Sequence, residues 1–492
     1  MSTAEQQLRR DIHGVLLPGF NGSTPPPWLW AAADAGLAGV LLFANNTPSP
    51  DRTAELTAQL HHRAPDLLVA SDEEGGDVTR VQVNTGSFLP GACSLGEAAD
   101  VELTRRAGLA QGRLMRATGV DLPLTPVLDV ASEPANPVIG VRSYGPDPRQ
   151  VAAHGVATLT GLREAGVAAC AKHFPGHGDT AIDSHLALPT LPIDSETLRE
   201  RDLHPFIEAI GAGLDTVMTG HLVVPTLGEL PASLEPGATE LLRRLGHTGP
   251  IITDALDMAA LHGDAAGAGP GTTSADLIAV AAVRALAAGA DLLCLGSTGG
   301  RDDAEVFHAV GRAIHAAVEG GRLDAAALSA SAARNRALTA CVRRRQQDAP
   351  APDLPAALTH LEQVGAQVAA AAVRTEGDVH VRPGDGLVDL RRGVNIAVGR
   401  ARLLPDMLTT HAGLVAVEPQ NVQQWATDNP GRRLAVLTRN VTDDPGAVLD
   451  LVPHAVVIHV GVPGAAARAP HRVLGHGAGL ASSREILTRI TR

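Results

Sequence analysis

The stretch TLRERDLHPFIEAIGAGLDTVMTGHLVVP (residues 197–225) contains the pattern that decides the fold. Residues 197–211 have the amphipathic period of a helix and end in a glycine-bearing turn. A short strand-like run, DTVMT, follows at 215–219, and His221 comes just after it. A helix, a tight turn and a short strand-like run in this order predict an α/β protein with a buried parallel sheet.

The same unit recurs along the first 300 residues or so. Apolar runs bounded by turn residues occur eight times, at residues 12–17, 39–43, 66–70, 120–128, 167–171, 215–219, 251–253 and 291–295. Helix-like segments separate them, and eight repeats within this length favour a (β/α)₈ TIM barrel over an open sheet. An open doubly wound sheet would also bind ligands at its strand ends, but no GxGxxG or P-loop pattern follows the first run.

A proline-rich stretch, QDAPAPDLP, divides the chain. Its composition is typical of a linker. We therefore expect a catalytic barrel domain at residues 1–346, a linker at 347–355 and a smaller C-terminal α/β domain at 356–492. Strand-like runs in this last part are predicted at 379–382, 394–398, 414–418, 433–438 and 455–460.

Composition excludes several kinds of partner. The formal net charge of −13 argues against a nucleic-acid partner, because phosphate binding needs clustered cations. No run of 18 apolar residues is present to span a membrane, and the N-terminus lacks the pattern of a secretory signal, so we expect a cytoplasmic protein without a membrane partner. Aromatic residues make up only 2% of the chain, so alanine, valine and leucine must fill the core.

Polar residues follow the predicted strands at their carboxyl ends. In a barrel these positions form one mouth, where barrel active sites are built. The residues concerned are Asp72 and Glu73 after the third run, Asp129 after the fourth, Lys172 and His173 after the fifth, His221 after the sixth and Asp254 after the seventh.

The densest group of ionisable residues lies in KHFPGHGDTAIDSHLALP (residues 172–189). Its glycines and prolines forbid a helix, so it is a loop just past a buried strand. One interpretation is a solvated loop with incidental charges. A second is a metal site, since nitrogen and oxygen ligands in this number suit a transition metal. Its candidate ligands are His173, His177, Asp179, Asp183 and His185.

The third interpretation comes from a resemblance. KHFPGHG followed by DSH resembles the signature loop of the β-N-acetylglucosaminidase branch of family 3 glycoside hydrolases. Further stretches resemble the same family in the same order: DEEGGDVTR (72–80), PVLDV (126–130), NPVIGVRSYG (136–145), GHLVVP (220–225) and TDALDM (253–258). The resemblance covers most of residues 12–300, and HAVVIHVGVPG (454–464) is similar to the equivalent segment of two-domain members.

This resemblance implies a retaining glycosidase that needs neither cofactor nor metal. It identifies Asp254 as the nucleophile, which attacks the anomeric carbon and forms a glycosyl-enzyme. It identifies Asp183 and His185 as the acid/base pair. An imidazole titrates near neutrality, and a nearby aspartate fixes its tautomer and stabilises its charged form.

The resemblance also implies which residues hold the sugar hydroxyls: Asp72, Arg80, Arg142, Lys172, His173 and His221. Carboxylates and guanidinium groups suit vicinal hydroxyls because each bonds two at once. This chain departs from the usual family pattern at Glu73 and Asp77, where the family shows glutamine and arginine. We expect the two carboxylates to add negative charge near the mouth.

The expected substrate is a small carbohydrate with a terminal β-linked N-acetylglucosamine, from glycans or from fragments of peptidoglycan turnover. Two other functions remain open at this point. Phosphorolysis would use the same residues, because a histidine acid/base repels an incoming phosphate less than a glutamate does. A non-catalytic sugar-binding protein would need neither Asp254 nor the Asp183–His185 pair.

Overall fold

The computed structural model describes residues 2–180, 188–262, 273–296, 300–392 and 402–492. The chain folds into two α/β units. The predicted strand at 394–398 lies outside the described residues, as do Asp183 and His185 of the predicted acid/base pair.

The strands of the first unit pair only in parallel within the described residues, as β1–β8, β2–β3–β4 and β5–β6–β7. Each of these eight strands falls within or overlaps one of the eight predicted runs. The first predicted run began too early, because residues 12 and 13 are the end of the first helix. The strands are β1 (Leu16–Leu17), β2 (Gly39–Leu42), β3 (Leu68–Ser71), β4 (Leu122–Pro123), β5 (Cys170–Phe174), β6 (Thr216–Thr219), β7 (Ile251–Thr253) and β8 (Leu293–Cys294).

Backbone hydrogen bonds also join these groups of strands to one another. Leu41 N–H in β2 donates to the carbonyl of Pro18, directly after β1, at 3.0 Å. Cys170 N–H in β5 donates to the carbonyl of Thr125, beyond β4, at 2.8 Å, and Thr253 N–H in β7 donates to the carbonyl of Leu292, before β8, at 3.0 Å.

Helices separate the strands, and several begin where the sequence supplies a capping side chain. Asp147 accepts the backbone N–H of Arg149 at 2.9 Å ahead of a proline at the first helical position, the arrangement that starts α6. The helices are α1 (Thr3–His13), α2 (Pro27–Asp34), α3 (Pro50–Arg63), α4 (Ala92–Ala98), α5 (Val101–Ala117), α6 (Pro148–Glu164), α7 (Ser195–Thr197), α8 (His204–Gly211), α9 (Pro236–Arg244), α10 (Ala259–His262), α11 (Ser274–Ala287), α12 (Asp303–Glu319), α13 (Ala325–Asp348) and α14 (Leu354–Ala372).

Alternate strand residues of the first unit bury into two separate apolar clusters. Leu16, Val40 and Val69 belong to a large cluster shared with the helices. Their chain neighbours Leu17 and Leu41 belong to a smaller cluster built mainly from strand residues, which we call the inner cluster. Successive side chains of a strand point to opposite faces, so each strand has one face toward the helices and one toward the inner cluster.

Helix α13 covers the amino-terminal end of the inner cluster. Leu338 and Val342 of this helix belong to the cluster. Arg345 binds Asp215, just before β6, at 2.6 Å, and Arg334 binds Asp291, just before β8, at 2.9 Å. The carboxyl ends of the strands therefore face the opposite side, where the predicted site residues lie.

The second unit is a mixed sheet with the strand order β11-β10-β12-β13-β14-β9, in which β9 is antiparallel. The predicted strand at 379–382 is wrong: these residues are irregular and lie between β9 and β10, two strands of the same sheet. The elements are β9 (Arg374–Glu376), β10 (Gly386–Asp389), β11 (Val415–Ala416), β12 (Leu434–Thr438), β13 (Val456–His459), β14 (Arg472–Leu474), α15 (Leu403–Thr410), α16 (Val422–Asp428), α17 (Gly446–Leu451) and α18 (Leu480–Thr491).

Helix α14 joins the two units. Its residues Leu361, Val364 and Val368 belong to the large apolar cluster of the first unit. Its C-terminal end leads directly into β9 of the second sheet. The boundaries proposed from the sequence, with a linker at 347–355, stay a prediction.

Candidate active site

The site is built from loops at the carboxyl ends of the strands. Asp72 directly follows β3, Lys172 and His173 lie in β5, and Asp254 directly follows β7. Because parallel strands end on the same side of a sheet, these residues share one end of the first unit.

A buried ionic cluster forms the floor of this end. The Nζ of Lys172 lies 2.9 Å from Oδ1 of Asp72 and 2.7 Å from Oε1 of Glu74. Arg142 binds Glu74 through two parallel bonds of 2.8 Å each. The structure thus brings the predicted residues Asp72, Lys172 and Arg142 together through Glu74, which the sequence analysis did not single out although it lies in the DEEGG motif.

The charges of this cluster keep one another ionised. Burial alone raises the pKa of Glu74, but the adjacent Arg142 and Lys172 outweigh it and hold that pKa well below its usual value. Burial likewise opposes the charge of Lys172, yet Asp72 and Glu74 raise its pKa above the ordinary value. The cluster is therefore a fixed set of charged hydrogen-bonding groups at neutral pH.

His173 joins this cluster to Asp129. Its Nδ1 lies 2.7 Å from Oδ2 of Asp129, and its Nε2 lies 3.3 Å from Nη2 of Arg142. A guanidinium can only donate, so Nε2 accepts and the hydrogen resides on Nδ1, which donates to Asp129. This arrangement fixes the ring orientation of His173 beside Lys172.

Asp129 also holds the start of the signature loop. Its Oδ1 accepts the backbone N–H groups of His173 at 3.1 Å and His177 at 2.8 Å. Asn136 donates from its side chain to the carbonyl of His177 at 2.9 Å. Burial lowers the pKa of His177 to about 4, so its imidazole is neutral near pH 7. Asp183 and His185 follow this anchored segment, beyond the described part of the loop.

Arg80 and His221 have different surroundings. Nη2 of Arg80 lies 3.7 Å from Oδ2 of Asp72. His221 is fully buried: its Nε2 donates to the carbonyl of Ala255 at 2.9 Å, and its Nδ1 lies 2.7 Å from the hydroxyl of Ser233. These contacts make His221 a support for the turn that carries Asp254; its predicted contact with the sugar stays a prediction.

Asp254 is half-buried at the end of β7. Its Oδ1 accepts the N–H of Ala255 at 2.7 Å, and its own N–H donates to the carbonyl of Thr219 at 3.0 Å. Burial raises the pKa of the Cys170 thiol to about 12, and the carboxylates of Asp72 and Asp254 both add to this rise. Both carboxylates disfavour the thiolate form of this buried sulfur.

The two departures from the family pattern do not add free negative charge, which corrects the expectation from the sequence. Glu73 is buried and accepts the hydroxyl of Thr79 at 2.5 Å and the N–H of Arg80 at 3.0 Å. Asp77 is paired with Arg439 of the second unit at 2.6 Å. Both carboxylates bind protein groups instead of facing a ligand.

The predicted metal ligands that the structure describes have other partners. His173 binds Asp129, and Asp179 binds Arg201 at 2.9 Å. The described part of the chain holds no group of three or more histidine, cysteine, aspartate or glutamate side chains suited to a metal ion. Nor does any described helix combine the length and apolar character needed to cross a bilayer.

Comparison with known proteins bears on what this arrangement does. Residues 31–338 match the model of the glycosyl hydrolase family 3 N terminal domain. The chain belongs to glycosyl hydrolase family 3. The resemblance seen in the sequence is thereby confirmed, and this family 3 chain is a glycosidase.

The relatives of this family 3 chain match about half of its residues, and one solved structure matches nearly all of them. A beta-hexosaminidase of Methylococcus capsulatus is 37% identical over 264 residues, which are 53% of this chain and 75% of the relative. A beta-hexosaminidase of Xylella fastidiosa strain M23 is 36% identical over 261 residues, 51% of this chain and 76% of the relative. The structure of a family 3 beta-N-acetylglucosaminidase from Paenibacillus sp. FPU-7 superposes with a TM-score of 0.81 at 28% identity, covering 98% of this chain and 97% of that one.

One buried carboxyl group of this family 3 chain was missed by the sequence analysis. Asp202 is fully buried beside Arg201, whose Nη2 lies 3.0 Å from Asp202 and 2.9 Å from Asp179 of the signature loop. Burial raises the pKa of Asp202 to about 6, against the opposing effect of Arg201. The only sequence signal is its place in RERDLHPF, where it looks like one charge among several on a helix end.

The raised pKa predicts how the stability of an Asp202→Asn variant depends on pH. A carboxyl whose pKa rises from 3.8 to about 6 on folding binds a proton more tightly in the folded state. The free energy of unfolding of the wild type therefore falls as pH rises through this window. Above about pH 6 the whole decrease caused by the buried Asp202 carboxylate is present. The uncharged asparagine does not have this pH dependence. On going from pH 4 to pH 7.5, the free energy of unfolding of the variant should therefore increase by about 1 to 3 kcal/mol relative to that of the wild type.

Urea denaturation at the two pH values measures this gain. Asp179→Asn, which removes the other carboxylate on Arg201, is the control for a lost pairing with that arginine. A difference between Asp202→Asn and wild type that is the same at both pH values would contradict the assignment.

Proposed function

We propose that this chain is a β-N-acetylhexosaminidase that hydrolyses terminal β-linked N-acetylglucosamine from small carbohydrates. The observation that carries the proposal is the ionic cluster of Asp72, Glu74, Lys172 and Arg142 at the same strand ends as a half-buried carboxylate, Asp254. The names of the relatives, beta-hexosaminidase and beta-N-acetylglucosaminidase, support this substrate class.

The proposed frame for this site is a closed (β/α)₈ barrel. Two observations support closure: backbone hydrogen bonds between strand groups that are not paired in one sheet, and the division of alternate strand residues between two clusters. A barrel has an inner layer of side chains and an outer layer that packs on helices.

The cluster suits a sugar because its groups are charged and already oriented, with Lys172 and Arg142 buried and Asp72 partly exposed. Asp72 accepts hydroxyl hydrogens, while Lys172 and Arg142 donate to hydroxyl oxygens. We assign sugar hydroxyls to Asp72, Arg80, Arg142, Lys172 and His173, with His221 behind them. Groups held by one another before binding lose little freedom when the sugar arrives, which favours affinity.

The proposed chemistry is a double displacement. Asp254 attacks the anomeric carbon and forms an ester bond with the sugar as the glycosidic bond breaks, and His185 gives its proton to the leaving oxygen. Water then attacks the same carbon, His185 takes the proton from that water, and the bond to Asp254 breaks. Asp183 orients the imidazole and stabilises its charged form.

Hydrolysis is the proposed outcome; nothing in the described site favours phosphorolysis. The test is to incubate a p-nitrophenyl β-N-acetylglucosaminide with the protein, with and without phosphate, and identify the sugar released. Free N-acetylglucosamine under both conditions supports the proposal. A sugar 1-phosphate would show phosphorolysis, and no release of p-nitrophenol would leave only sugar binding. A cytoplasmic location and a role in peptidoglycan turnover stay predictions from the sequence.

The nucleophile is tested by Asp254→Ala. We expect turnover to fall by about a thousandfold or more with the fold retained, because the covalent step is lost. Asp257→Ala is the matched control, since Asp257 belongs to the same motif but pairs with Arg301. A fluorinated sugar with a good leaving group should label Asp254, and mass spectrometry of the labelled peptide locates the bond. Labelling at another residue, or near-normal turnover of Asp254→Ala, would refute the assignment.

The acid/base role of His185 is tested by comparing leaving groups. If His185 protonates the leaving oxygen, His185→Ala should lose far more activity on a disaccharide than on an activated aryl glycoside. Asp183→Ala should show a milder version of the same pattern, because it removes only the support of the imidazole. Initial rates on both substrates measure this. Equal losses on the two substrates would mean that His185 binds substrate and does not transfer its proton. In a separate assay, loss of wild-type activity on adding a chelator would indicate a metal site instead.

A further inference from the structure

Asp77, in the turn that follows β3, contacts the second unit. Oδ2 of Asp77 lies 2.6 Å from Nη2 of Arg439, and Oδ1 accepts the backbone N–H of Ala478 at 2.8 Å. The Asp77 side chain is only 3% exposed. Both carboxylate oxygens of this residue in the first unit are therefore bound by groups of the second unit.

One arm of the turn leads from Asp77 to the ionic cluster. The N–H of Glu74 donates to the carbonyl of Val78 at 3.0 Å and closes the turn. Gly76 has φ of +59°, and a Cβ atom there would lie 2.5 Å from the backbone nitrogen of Gly91, so the turn has little room to change shape. Asp77 therefore lies in a closed turn with Glu74, which binds Lys172 and Arg142.

The other arm leads from Asp77 to Asp72. Thr79 and Arg80 both donate hydrogen bonds to Glu73, the residue between the two cluster carboxylates. The guanidinium of Arg80 lies 3.7 Å from Asp72. Asp77 thus lies in the middle of a short turn. Residues on both sides of it contact groups that we propose bind the sugar.

The groups of the second unit that hold Asp77 are themselves ordered. The N–H groups of Arg439 and Asn440 both donate to Oδ2 of Asp443 at 2.8 Å, which fixes the backbone under the arginine. Gly479 packs against Gly76 so closely that a Cβ atom on it would lie 2.9 Å from the Gly76 carbonyl oxygen. The contact is therefore a fitted one between two backbones as well as an ion pair.

We propose that Asp77 and Arg439 are positioning residues through which the second unit holds the β3 turn, and with it Asp72 and Glu74, in the geometry that binds the sugar. The part of this inference that concerns sugar rests on the proposed function. The physical basis is that a buried ion pair with one partner removed leaves an uncompensated charge, which drives local rearrangement.

The first experiment measures the turn itself, without substrate. Hydrogen exchange of the peptide covering residues 72–81 is followed by mass spectrometry in the full chain, for wild type and Arg439→Ala. Loss of the pair should speed exchange in this peptide by about tenfold, because local opening becomes easier. Arg489→Ala is the control: its side chain links α18 to the carbonyl of Ala370 in α14 at 3.2 Å and does not contact the turn.

The second experiment separates positioning from a general loss of folded protein. On an aryl β-N-acetylglucosaminide, Arg439→Ala should raise KM about tenfold while kcat changes by less than about threefold, because binding to ground state and transition state weakens equally. A purely structural role would lower the active fraction and thus kcat, with KM unchanged. Arg439→Lys keeps the charge and should restore part of the wild-type KM.

The outcomes are distinct. Exchange in residues 72–81 equal to that of wild type overturns the proposal whatever the activity. Faster exchange with an unchanged KM shows that the pair holds the turn but does not serve the sugar, which also overturns it. If wild type releases no sugar, the proposed function fails while the exchange result still stands. Should Arg439→Ala not fold, Asp77→Asn replaces it, since its side-chain oxygen still accepts the Ala478 N–H.

Discussion

The buried ammonium group of Lys172 is the charge on which the candidate site depends. Asp72 and Glu74 approach it to 2.9 and 2.7 Å and would repel each other without it. Arg142 binds Glu74 as a second cation and Arg80 lies 3.7 Å from Asp72, so each carboxylate has more than one cation near it. Because these groups come from the turn after β3, from β5 and from the loop beyond β4, the ion pairs also join three parts of the fold. Folding therefore orders the polar groups before any ligand arrives, and the free energy of ordering them does not reduce affinity.

Much of this arrangement could be predicted from local sequence. Buried parallel strands are short and continuously apolar, so the eight runs are visible without any long-range information. A polar residue directly after such a run must lie at the strand end, which is why Asp72, Lys172 and Asp254 were expected to lie together. Knowing roughly where a strand ends tells us where the residue after it lies. It does not tell us which groups the side chain of that residue binds.

The features that sequence reasoning missed depend on partners far away in the chain. Glu74 looks like a neighbour of Asp72 until Arg142 and Lys172 are placed around it. Asp77 was expected to add negative charge, because nothing in the motif indicates that Arg439 lies beside it. In the sequence Asp202 looks like a solvated charge, because the residues that bury it are not its neighbours in the chain. In the second unit the strand at Gly386–Asp389 was missed because an aspartate precedes it and arginines follow it, which masks a short apolar core.

The inner cluster also determines how the protein responds to thiol chemistry. Cys170 and Cys294 lie in that cluster, and burial raises the pKa of the Cys170 thiol to about 12 and that of the Cys294 thiol well above its usual value. The thiolate is the form that reacts with alkylating reagents and mild oxidants, so both sulfurs are inert while the strands stay packed. Modification must then wait for the strand layer to open. In this chain the rate of alkylation at these two cysteines reports how often the innermost part of the fold is exposed to water.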